Sequence, residues 1–234
     1  MAHPNDFPET RWSLILSARL GERARQEALE GLLGAYWKPV YHYCRRKGLD
    51  ADGAQDAVQD LFAHLLAQDF LGRLDPERGR FRSYLRTAAD HLLVNLHEKR
   101  SAAKRGGGQA PLSLDFDVAE RELVATAASP EAAFDRDWAL GVMDRALGRL
   151  RAEFEAGARR GPFDVALEFF RGAEPPSYAD AAKRAGMPAP TFKAFLHRTR
   201  VRFRELVRAE VGETVGSGAQ ADQEVADLMA ALRS

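Results

Sequence analysis

Cysteine is almost absent: the chain of 234 residues has one, Cys44. A lone thiol excludes a disulfide framework and a thiolate metal cage, and it fits a reducing cytoplasm. Cys44 is expected to be a packed thiol. No apolar run approaches the roughly 18 residues that mark a bilayer span, so no membrane segment is expected. The opening MAHPNDFPETRW has no basic region followed by an apolar one, which argues against a secretory signal. Net charge is missing as well, since 34 Lys and Arg balance 34 Asp and Glu. That disfavours a protein basic all over, but not a local basic patch, because charge acts over a screening length of about 8–10 Å. The six histidines are scattered without an i, i+4 pair, and no glycine-rich loop follows a strand. An all-helical enzyme acting on nucleic acid or phosphate is therefore disfavoured, and no catalytic residue, metal or cofactor is expected.

What is present is helix. Apolar residues recur at steps of three and four, and alternating β patterns are nearly absent. The period predicts helices from Trp12 to Leu20, from Arg23 to Gly48 with a bend or break at Pro39, through LDADGAQDAVQDLFAHLLAQ, and from Arg82 to Arg105. Asp50 or Asp52 can cap the third, with Val58, Leu61, Phe62 and Leu65 on its buried face. Tyr84, Leu85, Ala88, Leu92 and Leu96 form the stripe expected on the fourth. From Gly106 to Pro130 the texture shifts to Gly, Pro, Ser and scattered acids, which reads as a linker with at most a helical turn. The period then returns in a long helix with Phe134, Trp138, Leu140, Val142, Leu147 and Leu150 as core, in FDVALEFF, and in a terminal DQEVADLMAALR. The fold class is all-α: two helical domains joined by a linker, the second containing a helix-turn-helix. The boundaries are an N-terminal segment 1–28, a domain 29–105, a linker 106–130, a domain 131–212 and an extension 213–234.

The helix-turn-helix is read from YADAAKRAGMPAPTFKAFLHRTRVRFREL. A short helix, Tyr178 to Arg184, meets a turn in which Gly186 can take the left-handed cap, and Thr191 opens a second helix. At 100° per residue, Phe192, Leu196, Thr199, Phe203 and Leu206 make an apolar stripe. Lys193, His197, Arg200, Arg204 and Arg208 form a line beside it, with Arg198 and Arg202 flanking the other side. A line of cations suits a phosphate backbone, whose counterions it displaces. The acids are segregated into the tail (Glu210, Glu213, Asp222, Glu224, Asp227), whose stripe of Val225, Leu228, Met229 and Leu232 is expected to dock. Its acids are expected to compete with phosphate for the arginine line.

In the first domain, Asp56, Gln59 and Asp60 share one helix face opposite the apolar stripe, as a protein-docking site would. They lack the histidines or further carboxylates of a metal site. The helix from Arg82 ends in HEKRSAAKR, and basic groups near Tyr84 and His91 suit single-stranded DNA. In order, FPETRW, YWKPVY, DAVQDLFAHLL, RGRFRSYLRTAADHLLVN, KRGGG, LSLD, SPEAAFDRDWAL, SYADAAKRAGM and FLHRTRVRFRELVRAEV resemble an extracytoplasmic-function (ECF) sigma factor of bacterial RNA polymerase, of the branch with KRGGG and a C-terminal helical extension. The resemblance covers nearly the whole chain. It implies a cytoplasmic initiation factor, not an enzyme, whose partners are core RNA polymerase and promoter DNA. An anti-sigma factor or other regulator is a further class of partner. Residues 29–105 would be sigma domain two, with Asp56, Gln59 and Asp60 on the polymerase clamp. Arg82, Tyr84, Arg86, His91, Asn95, Lys99, Arg100, Lys104 and Arg105 would lie along the −10 strand. Residues 131–212 would be sigma domain four, with Thr191, Lys193, His197 and Arg198 at the −35 element and Arg200 and Arg204 on phosphates. Ala194 and Phe195 stand where Ser and Arg are common, leaving fewer groups there to reach DNA. The alternative is a helix-turn-helix regulator acting without polymerase.

Overall fold

The computed structural model describes residues 22–67, 81–100, 114–124, 128–156, 160–171, 175–213, 215 and 218–233. The helix expected from Trp12 to Leu20, the turn before Phe81 and the KRGGG motif lie outside them. Among the described residues every regular element is helical: α1 (Glu22–Arg46), α2 (Ala51–Ala67), α3 (Phe81–Arg100), α4 (Phe116–Glu122), α5 (Pro130–Ala156), α6 (Arg160–Arg171), α7 (Tyr178–Arg184), α8 (Ala189–Gly212) and α9 (Gly218–Ala231). The chain divides into two compact units, one reaching Gly141 and resuming at Val211, the other spanning Val142–Glu210.

The first unit is built on α1, α2 and α3, each packed against the other two. Its core takes Leu33, Tyr36 and Val40 from α1, and Val58, Leu61, Phe62 and Leu65 from α2 as the period predicted. On α3 the buried row is Phe81, Leu85, Ala89 and Leu93, while Tyr84, Ala88, Leu92 and Leu96 are only half-buried. Phe81, assigned to the preceding turn on sequence, sets that rotation through an edge contact to Tyr36 at 5.3 Å. Helix α1 runs unbroken through Pro39, whose ring is buried. Packing holds a helix together across one missing backbone bond. The α1 end is closed by Gly48 at φ +98°, with Leu49 N–H donating to the Cys44 carbonyl at 3.2 Å. Asp50 then caps α2, its Oδ1 accepting from Gly53 N–H at 2.9 Å.

The linker holds more structure than a turn. Asp115 caps α4 by accepting from Val118 N–H at 3.0 Å, and α4 packs on α1. The first part of α5 also folds here: Phe134 and Trp138 are buried, Phe134 at 5.7 Å from the Tyr43 ring. Leu140, expected in the core, is 45% exposed. Helix α9 belongs to this unit too, burying Ala221, Leu228 and the carboxylate residue Glu224, while Met229 faces outward.

In the second unit, Val142, Ala146 and Leu150 of α5 are buried with Phe163 and Ala166 of α6 and Phe192, Leu196 and Leu206 of α8. Phe195 is core rather than surface, edge-on to Phe154 at 5.5 Å. Ser177 caps α7 through Asp180 N–H at 3.1 Å. At its other end Gly186 takes φ +66°, with Met187 N–H donating to Ala182 O at 3.0 Å and Gly186 N–H to Lys183 O at 3.2 Å. This paired closure requires a residue without a Cβ penalty. It launches α8 at Ala189, two residues ahead of Thr191.

Candidate nucleic-acid interface

The second unit presents one face of α8 as a line of cations. Lys193, His197, Arg200 and Arg204 are all exposed and, with Tyr178 and Leu196, line an open concavity of about 350 Å³. Tyr178 is the residue that sequence reasoning did not assign to this surface. Its ring stacks on Phe169 at 5.4 Å and carries the Lys193 ammonium at 5.0 Å. Arg200 Nη2 donates to the Phe169 carbonyl at 3.2 Å, a neutral acceptor that fixes the side chain without cancelling its charge. Thr191 and Arg198 are exposed, Thr191 in the first turn of α8 and Arg198 off the line. Arg202, by contrast, is engaged by Glu153 at 2.7 and 2.9 Å and by Glu205 at 2.8 Å. Those contacts hold the Glu153 carboxyl below its usual range. Arg184 is likewise paired with Glu168.

In the first unit Asp56 and Asp60 are exposed and Gln59 half-exposed, all on α2. The residues expected along a −10 strand are divided. At 100° per residue, Tyr84, His91 and Asn95 fall within an arc of about 40°, with Arg82 and Arg86 on the opposite side. His91 and Asn95 are exposed, and burial of Tyr84 pushes its phenol above the ordinary range. The side chains of Lys99 and Arg100, and all of Lys104 and Arg105, lie outside the described residues.

Arg82 is only 7% exposed. Its Nε and Nη2 donate to the two oxygens of Glu224 at 2.6 and 3.1 Å, and Nη2 also to Asp227 at 3.2 Å. Nη1 donates to Asp135, and the guanidinium lies 4.6 Å from the Trp138 ring. Asp135 also reaches Arg86 at 3.7 Å. Of the tail acids expected to compete for the α8 arginines, Glu224 and Asp227 engage α3, and Glu210 pairs with Arg145 and Arg149 of α5. The stripe read for α9 did not include Glu224, because a buried acid carries no periodic signal of its own.

Sequence reasoning also passed over the basic end of α1. Lys38 donates to Glu122 at 2.8 Å, and Arg45 holds Glu120 with Nε at 2.9 Å and Nη2 at 2.7 Å. Tyr41 Oη donates to the same carboxylate at 2.6 Å. Arg45, then Tyr41, hold the Glu120 carboxyl down at about 2. Lys47 donates to Glu131 at 2.8 Å and is the main cause of that carboxyl also lying at about 2. Arg46 donates to Asp137 at 2.5 Å. Buried His42 places Nδ1 at 3.0 Å from the same carboxylate and Nε2 at 2.9 Å from the Ala119 carbonyl. Burial would raise the Asp137 carboxyl, but His42 and Arg46 outweigh it and hold it low. Burial pushes the Cys44 thiol up to about 12, so it is a packed, unreactive group. The legible signal was complementarity between YHYCRRK and the acids from Asp115 to Asp137.

Residues 32–103, from within α1 past the end of α3, match the family model for Sigma-70 region 2. This stretch is thus similar to Sigma-70 region 2. No curated protein and no solved structure matches the chain significantly.

Proposed function

We propose that this chain is a sigma factor that binds core RNA polymerase, recognises and melts promoter DNA, and directs transcription initiation in the cytoplasm. The observation that carries the reading is the region 2 match over residues 32–103. Two surfaces support it. Asp56, Gln59 and Asp60 offer an exposed acidic face of α2 to the polymerase clamp. The helix-turn-helix of α7 and α8 offers Lys193, His197, Arg200 and Arg204 to −35 duplex phosphates, beside Thr191 and Arg198. We assign the chain to the ECF branch that carries KRGGG and a C-terminal extension, on the order of its motifs. The −10 strand is assigned to the face of α3 bearing Tyr84, His91 and Asn95.

Such a factor makes and breaks no bond. It acts by binding melted promoter better than duplex, and each captured base contributes about 1–3 kcal/mol through stacking. Run-off transcription with purified core polymerase on genomic fragments tests the assignment. Discrete new starts sharing two upstream elements are expected. Asp60→Arg should abolish core binding while the α8 surface keeps its affinity for duplex DNA. Absence of both starts and core binding would overturn the reading.

A further inference from the structure

The ion pairs of the first unit are one-sided. Among the described residues the cations come from the region 2 match: Lys38, Arg45 and Arg46 on α1, Lys47 just past its end, and Arg82 on α3. Most of the carboxylates that meet them come from outside it. Between Gly106 and Asp137 the sequence has seven acidic residues against two arginines. Five of those acids, Glu120, Glu122, Glu131, Asp135 and Asp137, contact region 2 side chains. Glu224 and Asp227 of α9 complete the cover on Arg82. Asp90 on α3 is the exception, reaching Lys47 at 3.5 Å.

We propose that the basic side of α1, continued by Arg82, is a nucleic-acid-binding surface. The acidic linker and α9 occupy it as an internal stand-in for a phosphate backbone. The contacts have the chemistry of phosphate recognition. Arg45 and Arg82 each present the Nε/Nη2 edge to both oxygens of one carboxylate, the fork that also grips phosphate. Lys38 and Lys47 act as point charges at the rim and retain 37% and 32% side-chain exposure. Most of the cover is wet. Glu120, Glu122 and Glu131 keep 38%, 52% and 42% exposure, and exposed pairs of this kind exchange partners at small cost. Region 2 would thus open a second path for an anion, along α1 and the side of α3 opposite Tyr84, His91 and Asn95, when the linker lifts. The inference rests on the reading that region 2 meets nucleic acid.

The test measures fluorescence anisotropy of a labelled, mixed-sequence single-stranded oligonucleotide with the full chain. The triple variant Glu120→Gln, Glu122→Gln, Glu131→Gln keeps side-chain shape and removes the competing charge. It should bind about tenfold more tightly, the scale of a typical coupling between two occupants. Asp144→Asn, Glu155→Gln, Asp164→Asn changes net charge equally at exposed positions of the second unit and should give a much smaller gain. Adding Arg45→Glu and Lys47→Glu to the first triple should erase the gain. Equal gains from both triples, or a gain that survives the two reversals, would overturn the surface. So would a triple variant that binds no tighter but melts lower, since the linker acids would then be structural staples alone. Core polymerase binding by the same proteins is read separately. Its absence would sink the sigma assignment while the oligonucleotide result still decides the surface.

Discussion

The two units use the same side chains to opposite ends. In the first, Arg45, Arg46, Lys47 and Arg82 all meet carboxylates within hydrogen-bond distance. In the second, several arginines off the α8 line are paired, as Arg202 is with Glu153 and Arg145 with Glu210. Two on the line are presented differently: Arg200 donates to a carbonyl, and Arg204 stands exposed. A count of basic residues does not separate these cases, and a helical wheel separates them only in part. What separates them is where the acids fold. A cation with its own carboxylate is occupied in the free protein and must exchange partners to meet an external anion, and one without is open to it directly.

The largest effect should come from the most enclosed pair. Arg82→Ala leaves Glu224, 1% exposed, buried without its fork, and breaking a buried pair in this way costs about 3–5 kcal/mol. Urea unfolding should show the loss; a change under 1 kcal/mol would mean that water reaches Glu224 and the contrast between the units is shallower than drawn. On the other side of the comparison, Arg200→Ala with Arg204→Ala should leave stability nearly unchanged. It should weaken duplex binding by about 2 kcal/mol and lower the slope of log K against log salt by about two, near 0.9 per lost phosphate contact. An unchanged slope would remove the α8 line from the interface.

Acid should weaken the ion pairs that hold the linker on the first unit. Glu120 and Glu131 lie at about 2 when folded, against 4.5 for a free glutamate. Their carboxylates favour the folded state above the unfolded value, and that stabilisation disappears as pH falls from about 4.5 through about 2. Both groups are substantially exposed, so the contribution is screened and modest. Trp37 reports on it, because its ring meets Phe116 of α4 at 5.4 Å. Its fluorescence should shift across that window, and Glu120→Gln should flatten the shift. A full-size transition in the Gln variant would assign it to other acids.

Helices and their main buried faces were legible because amphipathic period is a local property. Caps were legible too, Asp50 and Gly186 among them, since each acts within a few residues. The α8 line followed from one helix taken alone. What escaped was non-local. Phe81 turned α3 by one row, Phe195 went inward against Phe154, and Glu224 went under Arg82, all through partners far along the chain. The linker was read by composition, and composition does not reveal that an acidic segment has a basic face waiting for it.

The smallest expected effect is the most specific. Arg202 and Arg204 lie two residues apart on α8, carry the same charge and are both exposed. Arg202 is 47% exposed and holds Glu153 and Glu205, and such surface pairs contribute about 0–1 kcal/mol. Arg202→Ala should therefore lower stability by less than 1 kcal/mol. It should leave duplex affinity and its salt slope within error of the parent, whereas Arg204→Ala alone should lower the slope by about one. If both substitutions lowered the slope equally, Arg202 would be giving up its glutamates for phosphate. Pairing within the free protein would then not reserve a cation for structure, the same exchange proposed for the paired cations of the first unit.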